Sequence, residues 1–138
     1  LILKPQGGNF TLKMNESSEN YLETILILSN RKPHVRSIDI ANELDFSKPS
    51  VSVAMRNLRE NGYILVDQDG YITLTDSGKQ VAETMYERHT MLSNWLMYLG
   101  VDEKTAAEDA CRIEHVVSAK SFQAIKDHVT KGNELLEK

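Results

Sequence analysis

The sequence predicts a mainly α-helical fold, an N-terminal winged helix-turn-helix with a small β-hairpin wing followed by a purely helical domain. Three observations predict it. Two short apolar stripes at helical spacing are joined by a tight turn between Ser37 and Asn61. An Asp69-Gly70 pair sits between two runs of alternating apolar residues. After Thr75 every apolar stripe has helical period. The expected division is a flexible extension over 1–13, a winged-helix domain over 14–75 and a helical domain over 76–138.

Residues 1–13 carry Pro5 and Gly7-Gly8 and keep no period, hence the flexible extension. From Ser17 to Ser29, Tyr21, Leu22, Ile25, Leu26 and Leu28 fill one broad helix face. Ser17 or Ser18 is the expected cap. Asn20, Glu23, Thr24 and Ile27 fall on a separate face at ~100° per residue.

A short helix is expected over Ser37–Leu44, burying Ile38, Ala41 and Leu44. Asp45-Phe46 makes the turn, and Ser47 caps the next helix. Pro49 suits the first helical turn, where no internal donor is needed. That helix buries Val51, Met55 and Leu58, and Gly62 suits its left-handed end. The pair is a helix-turn-helix. The hairpin that follows, with Ile64 and Val66 before Asp69-Gly70 and Ile72 and Leu74 after it, is a wing.

Thr75 caps a long helix to Tyr98, with Val81, Met85, His89, Leu92, Leu96 and Leu99 as its inner stripe. Gly100 ends it. Asp102 caps a helix to Val117. Ser118 starts a last one, with Phe122, Ile125 and Val129 on one side, expected to end at Gly132-Asn133.

Composition narrows the function classes. The chain of 138 residues is 41% hydrophobic and 26% charged, ordinary for a globular domain. No apolar run approaches the roughly 18 residues that span a bilayer. No signal-peptide pattern opens the sequence, because Lys4 and Pro5 interrupt it. One cysteine excludes an internal disulfide framework, so a cytoplasmic address is expected. The net charge of −4 argues against nonspecific coating of nucleic acid. Residues 31–59 nevertheless hold six bases against three acids. That local excess is concentrated on the helix-turn-helix and fits a phosphate-facing side.

The second helix of such a unit enters the major groove by its outward, N-terminal residues. These are Lys48, Pro49, Ser50, Ser52, Val53, Arg56 and Asn57. Lysine and hydroxyls bond phosphates or base edges; Val53 and the Pro49 ring suit thymine methyls. Arg36 and Ser47, at the starts of the two helices, complete the candidate DNA-binding set.

The only cysteine lies in "CRIEHVV". Cys111, Glu114 and His115 are three and four residues apart, so they share a helix face. That face lies roughly 120° from the stripe of Ala106, Ala110, Ile113 and Val117. Two readings follow from spacing. Thiolate, carboxylate and imidazole can converge on a late divalent metal, with His89, Glu23 and Asn20 as further donors. Alternatively Cys111 is a small buried apolar residue beside two solvated side chains.

A resemblance weighs on that choice. "YLETILIL", "FSKPSVSVAMRNLRENGYI", "ITLTDSGK", "YERHTMLSNWL" and "ACRIEHVVS", in this order over residues 17 to about 130, resemble the diphtheria toxin repressor family. These are iron- and manganese-dependent transcriptional repressors. The resemblance implies that the second part is a helical metal-binding and dimerisation domain, and that the metal-loaded homodimer binds double-stranded operator DNA. It implies metal ligation by Cys111, Glu114, His115 and His89, with Glu23 matching a carboxylate of the manganese members. Asn20 departs from the family's methionine or aspartate. Ser93 and Ala107 stand where a second site of the iron members would have a carboxylate and a histidine. Fe(II) is the expected ion because of Cys111, with Mn(II) next; zinc, nickel or cobalt are expected to bind in vitro. A zinc hydrolase is the rival of another class, but no second catalytic residues accompany the cluster. A winged-helix regulator that ignores metal is the nearer alternative.

Overall fold

The computed structural model describes residues 14–136, with side chains to Lys131. The expected extension over 1–13 lies outside these. Six helices and one hairpin follow in order: α1 Glu16–Arg31, α2 Ser37–Leu44, α3 Lys48–Glu60, β1 Ile64–Val66, β2 Ile72–Leu74, α4 Asp76–Tyr98, α5 Glu103–Val116 and α6 Ala119–Leu136.

Local chemistry sets most of the boundaries. Ser47, Thr75 and Asp102 each accept a hydrogen bond from the backbone N–H three residues on, so α3, α4 and α5 start where their caps predict. Gly62, Gly70 and Gly100 all have positive φ and end α3, the wing turn and α4. The α1 cap differs from expectation. Asn15, not Ser17 or Ser18, accepts from Ser18 N–H at 2.8 Å. At the other end, α6 runs past Gly132-Asn133 to Leu136. Glycine inside a helix costs only about 1 kcal/mol, and packing upstream carries it through.

The wing is antiparallel, with Ile64 opposite Leu74, Leu65 opposite Thr73 and Val66 opposite Ile72. Asp67 closes its tip by accepting the N–H groups of Asp69 and Tyr71, both at 2.9 Å. Ile72 N–H donates to the Val35 carbonyl at 2.7 Å, which pins the wing to the segment before α2.

Two apolar clusters hold the molecule. The first joins Leu22 and Ile25 of α1, Ile40 of α2, Val51, Met55 and Leu58 of α3, Ile64 and Ile72 of the wing, and Ala82 of α4. Each large apolar side chain buried there contributes about 1.5–3 kcal/mol. The second joins Leu92, Ala110 and Phe122, with Met91, Trp95 and Ile113 against them. Ile38 and Leu99, expected inside, are exposed: each is at the margin of its helix stripe, where no neighbour covers it. The 23-residue α4, about 35 Å long, passes both clusters and shares large contact faces with α1 and α5. Its first turn lies so close to the wing that Gly78 leaves no room for a side chain; an added Cβ would sit 2.0 Å from the Tyr63 carbonyl oxygen.

Candidate metal centre and nucleic-acid face

Between the two apolar clusters, α1, α4 and α5 bring polar side chains inward. Glu23 of α1 is buried although it lies beside the apolar stripe, because α4 and α5 bring His89 and Glu114 against that side face. His89 occupies the α4 stripe between Met85 and Leu92. Glu114 of α5 is completely buried. It therefore does not stand on a solvated face, as an isolated glutamate at this spacing usually would.

Glu114 is the common member of two groups. The ligating atoms of Cys111, Glu114 and His115 lie within 4.8 Å of one another, and so do those of Glu23, His89 and Glu114. His89 Nδ1 is 2.9 Å from Glu114 Oε2. Glu114 Oε1 and His115 Nε2 face each other at 3.3 Å. That geometry makes no hydrogen bond, and both atoms are buried without a partner. Buried polar atoms are rarely left so. Two facing lone-pair donors, one anionic, are what a cation would satisfy. Thus the residues present fit a divalent metal.

Electrostatics point the same way. Burial, and then the adjoining Glu114 carboxyl, pushes the Glu23 carboxyl up to about 9. Burial together with Glu114 and Glu23 raises the Cys111 thiol. The hydrogen bond to Glu114 raises His89 against its burial. A closely packed set of acids that hold their protons this tightly is stabilised when a cation replaces those protons.

Of the ligands expected, Cys111, Glu114, His115, His89 and Glu23 thus meet in two overlapping groups. Asn20 lies on α1 three residues before Glu23. It lines a cleft of about 230 Å³ with Cys111 and His115. Ser93 is buried with only a hydroxyl to offer, and Ala107 offers no donor.

Sequence reading missed Glu19. Its carboxylate is 3.2 Å from His115 Nδ1, across 96 residues of chain. A donated Nδ1–H there leaves Nε2 as the lone-pair nitrogen, the one that faces Glu114. The available signal was its place one turn before Glu23.

The outward side of α3 presents Lys48, Pro49, Ser50, Ser52, Val53, Arg56 and Asn57 to solvent, while Val51, Met55 and Leu58 face the core. Ser47 Oγ accepts from Ser50 N–H and donates to Ser50 Oγ at 2.8 Å, so both hydroxyls are engaged in the cap. Arg36 is exposed, with its guanidinium 4.7 Å from the Tyr71 ring centre on the wing. The wing tip itself bears Asp67 and Asp69 and no base. The cationic side is therefore α3 with Arg36, not the tip of the wing.

Around the second apolar cluster, Met97, Tyr98 and Leu99 stay exposed, while Met91, Trp95 and Ile125 are half-buried. Phe122 is buried, because it packs on Leu92 and Ala110. Among the described residues no helix is long and apolar enough to cross a membrane.

Comparison with known proteins agrees with this geometry. Residues 13–72 match the iron-dependent repressor N-terminal DNA-binding domain. Residues 75–133 match the iron-dependent repressor metal-binding and dimerisation domain. An uncharacterised HTH-type transcriptional regulator of Methanocaldococcus jannaschii is 32% identical over 121 residues, covering 86% of this chain and 96% of that protein. The HTH-type transcriptional regulator MntR of Lysinibacillus sphaericus is 33% identical over 113 residues, covering 82% and 81%. The solved structure of the manganese regulator SloR superposes with a TM-score of 0.74 at 27% identity, covering 82% of this chain and 53% of SloR, about half its length. Matched along both parts by models of one family, the chain belongs to the iron-dependent repressor family, the DtxR/MntR group of metal-dependent DNA-binding transcriptional repressors.

Proposed function

We propose that the chain represses metal-homeostasis genes when Fe(II) or Mn(II) is held by Glu23, His89, Cys111, Glu114 and His115. The observation that carries this is Glu114, wholly buried, with one oxygen lacking a hydrogen bond and facing a histidine nitrogen in the same condition. A bound cation supplies the positive charge that this cluster lacks. Cys111 brings a soft donor suited to Fe(II), whereas Glu23, His89 and Glu114 form a harder set suited to Mn(II). Zinc binds such donors more tightly in vitro, so affinity alone does not name the physiological ion.

The ligands come from both parts of the chain. Glu23 stands on α1, which packs on α2 and α3; Glu114 stands on α5. Joint ligation fixes the reading helix against α4–α6, which carry the dimer surface. In the homodimer two α3 helices then meet major grooves about one turn apart, or a multiple of it. Without the cation Glu23 keeps its proton against Glu114, a weaker tie between α1 and α5 than joint ligation, so competent arrangements are less populated. Lys48, Arg56 and Arg36 would contact phosphates. Pro49, Ser52 and Val53 would meet base edges, with Ser47 and Ser50 holding the helix start against the backbone. We place the boundary between the parts at Thr75, where α4 begins.

Duplexes selected by the Mn(II)-loaded protein from a random-sequence library supply the probe for a test. Affinity with chelator, with Fe(II) and with Mn(II) is compared by anisotropy. A metal-dependent gain of at least about fivefold is expected, the low end of ordinary allosteric coupling. Equal affinity in all three conditions would overturn the reading.

A further inference from the structure

We infer that Phe46 positions the recognition helix according to the state of the metal site, an inference that rests on the metal-responsive reading above. Phe46 ends the turn between α2 and α3. Asp45 before it is left-handed, with φ 55°. Its own N–H donates to the Ala41 carbonyl at 3.1 Å, and Ser47 after it caps α3. The main chain is thus held on both sides. The ring is thus linked to the start of α3 through a single turn of backbone held at both ends.

The ring does not turn into the helix-turn-helix core. It is 45% exposed. It meets the Tyr21 ring edge-on, with centres 5.9 Å apart and planes at 76°. Tyr21 directly follows Asn20 and stands two residues before Glu23. On its other side Phe46 walls the same cleft as Asn20, Cys111 and His115. One side chain therefore borders α1 and α5 beside their ligating residues, and is one residue from the cap of the helix that reads DNA.

An exposed turn needs no aromatic residue. Apolar surface facing a cleft is favoured when the cleft narrows over it. Ligation by residues of α1 and α5 draws the walls of this cleft together, which seats the ring and with it the first turn of α3. Release of the ligands opens the cleft and frees both.

The test compares wild type, Phe46→Leu and Phe46→Ala. Mn(II) affinity is read from the electron paramagnetic resonance signal of free Mn(II). Affinity for the selected duplex is read by anisotropy with chelator and with saturating Mn(II). Phe46→Ala is expected to bind Mn(II) like wild type yet lose at least about fivefold of the Mn(II)-dependent gain in DNA affinity. Phe46→Leu, which keeps an apolar group in the cleft, should fall between. A gain unchanged in Phe46→Ala overturns the inference. So does a loss of Mn(II) affinity that accounts for the whole effect, which would make Phe46 only a wall of the site. An equal loss with chelator and with Mn(II) also overturns it, marking Phe46 as an apolar clasp on Val51 at the helix start. If wild type itself shows no gain, the metal-responsive reading fails first.

Discussion

Replacing Glu114 with glutamine separates a metal ligand from a merely buried acid. The side chains are nearly equal in size, so the fully buried site neither collapses nor overpacks. The amide oxygen can still accept from His89 Nδ1, now 2.9 Å from the carboxylate. What disappears is the anionic ligand common to both groups. Metal at a thousand times its dissociation constant stabilises wild type by about 4 kcal/mol. For a chain of 138 residues each kcal/mol raises Tm by about 4 °C, so the metal shift is about 15 °C. Glu114→Gln should lose nearly all of it. With chelator the variant should melt close to wild type, because Glu23, which holds its proton up to about 9, can donate to the amide oxygen as it does to the carboxyl. Cys111→Ala should keep part of the shift, since Glu23, His89 and Glu114 remain. Thermal unfolding in Mn(II) and in chelator measures all of this. A wild-type shift in Glu114→Gln, or a large drop in its melting point with chelator, would refute the reasoning and make Glu114 a structural acid.

Four further outcomes are expected. Lys48→Ala should weaken operator binding alike on all sequences and flatten the salt slope by about one unit; an unchanged slope removes Lys48 from the phosphates. Gly78→Ala should destabilise by about 1–3 kcal/mol or more, since its Cβ would meet the Tyr63 carbonyl oxygen at 2.0 Å, and a melting point like wild type would contradict that contact. Asp39 accepts Arg36 N–H at 2.8 Å and pairs with Lys32 at 2.7 Å. The Lys32 hydrogen bond leads in holding its carboxyl below the ordinary 3.8, so its stabilisation is present above that pH and lost as acid carries the pH below it. Asp39→Asn should therefore cost about 1 kcal/mol at neutral pH, with the gap from wild type closing in strong acid; a gap constant with pH refutes the assignment. Leu99→Glu, on the exposed end of α4 beside Tyr98, should shift sedimentation from dimer toward monomer; a variant as dimeric as wild type moves the interface elsewhere.

Short-range chemistry was legible in the sequence. Ser47, Thr75 and Asp102 cap helices because one side chain meets one N–H three residues away. Asp69-Gly70 makes the wing turn because glycine alone takes its backbone angle without cost. At α1 three cap-competent residues, Asn15, Ser17 and Ser18, lie close together, and the choice among them depends on how the chain enters. The face of each helix was legible; its depth was not. Ile38 and Leu99 belong to apolar stripes yet stay exposed, while Phe122 is buried, because only the neighbouring helices decide where a stripe ends. The six ligand candidates could be placed on helices from the sequence, but the complete burial of Glu114 could not be foreseen. Nor could spacing find the pairing of Glu19 with His115 or the seat of Phe46 beside the cleft, since both depend on helices far apart in sequence.

The central claim is that one cation joins α1 to α5 through Glu114, and anomalous diffraction from crystals grown in Mn(II) tests it most directly. The account predicts a manganese peak in contact with the Glu114 carboxylate and shared with Glu23 of α1. A saturated crystal whose only manganese peaks lie elsewhere, at the Asp67 and Asp69 wing tip for example, would contradict it.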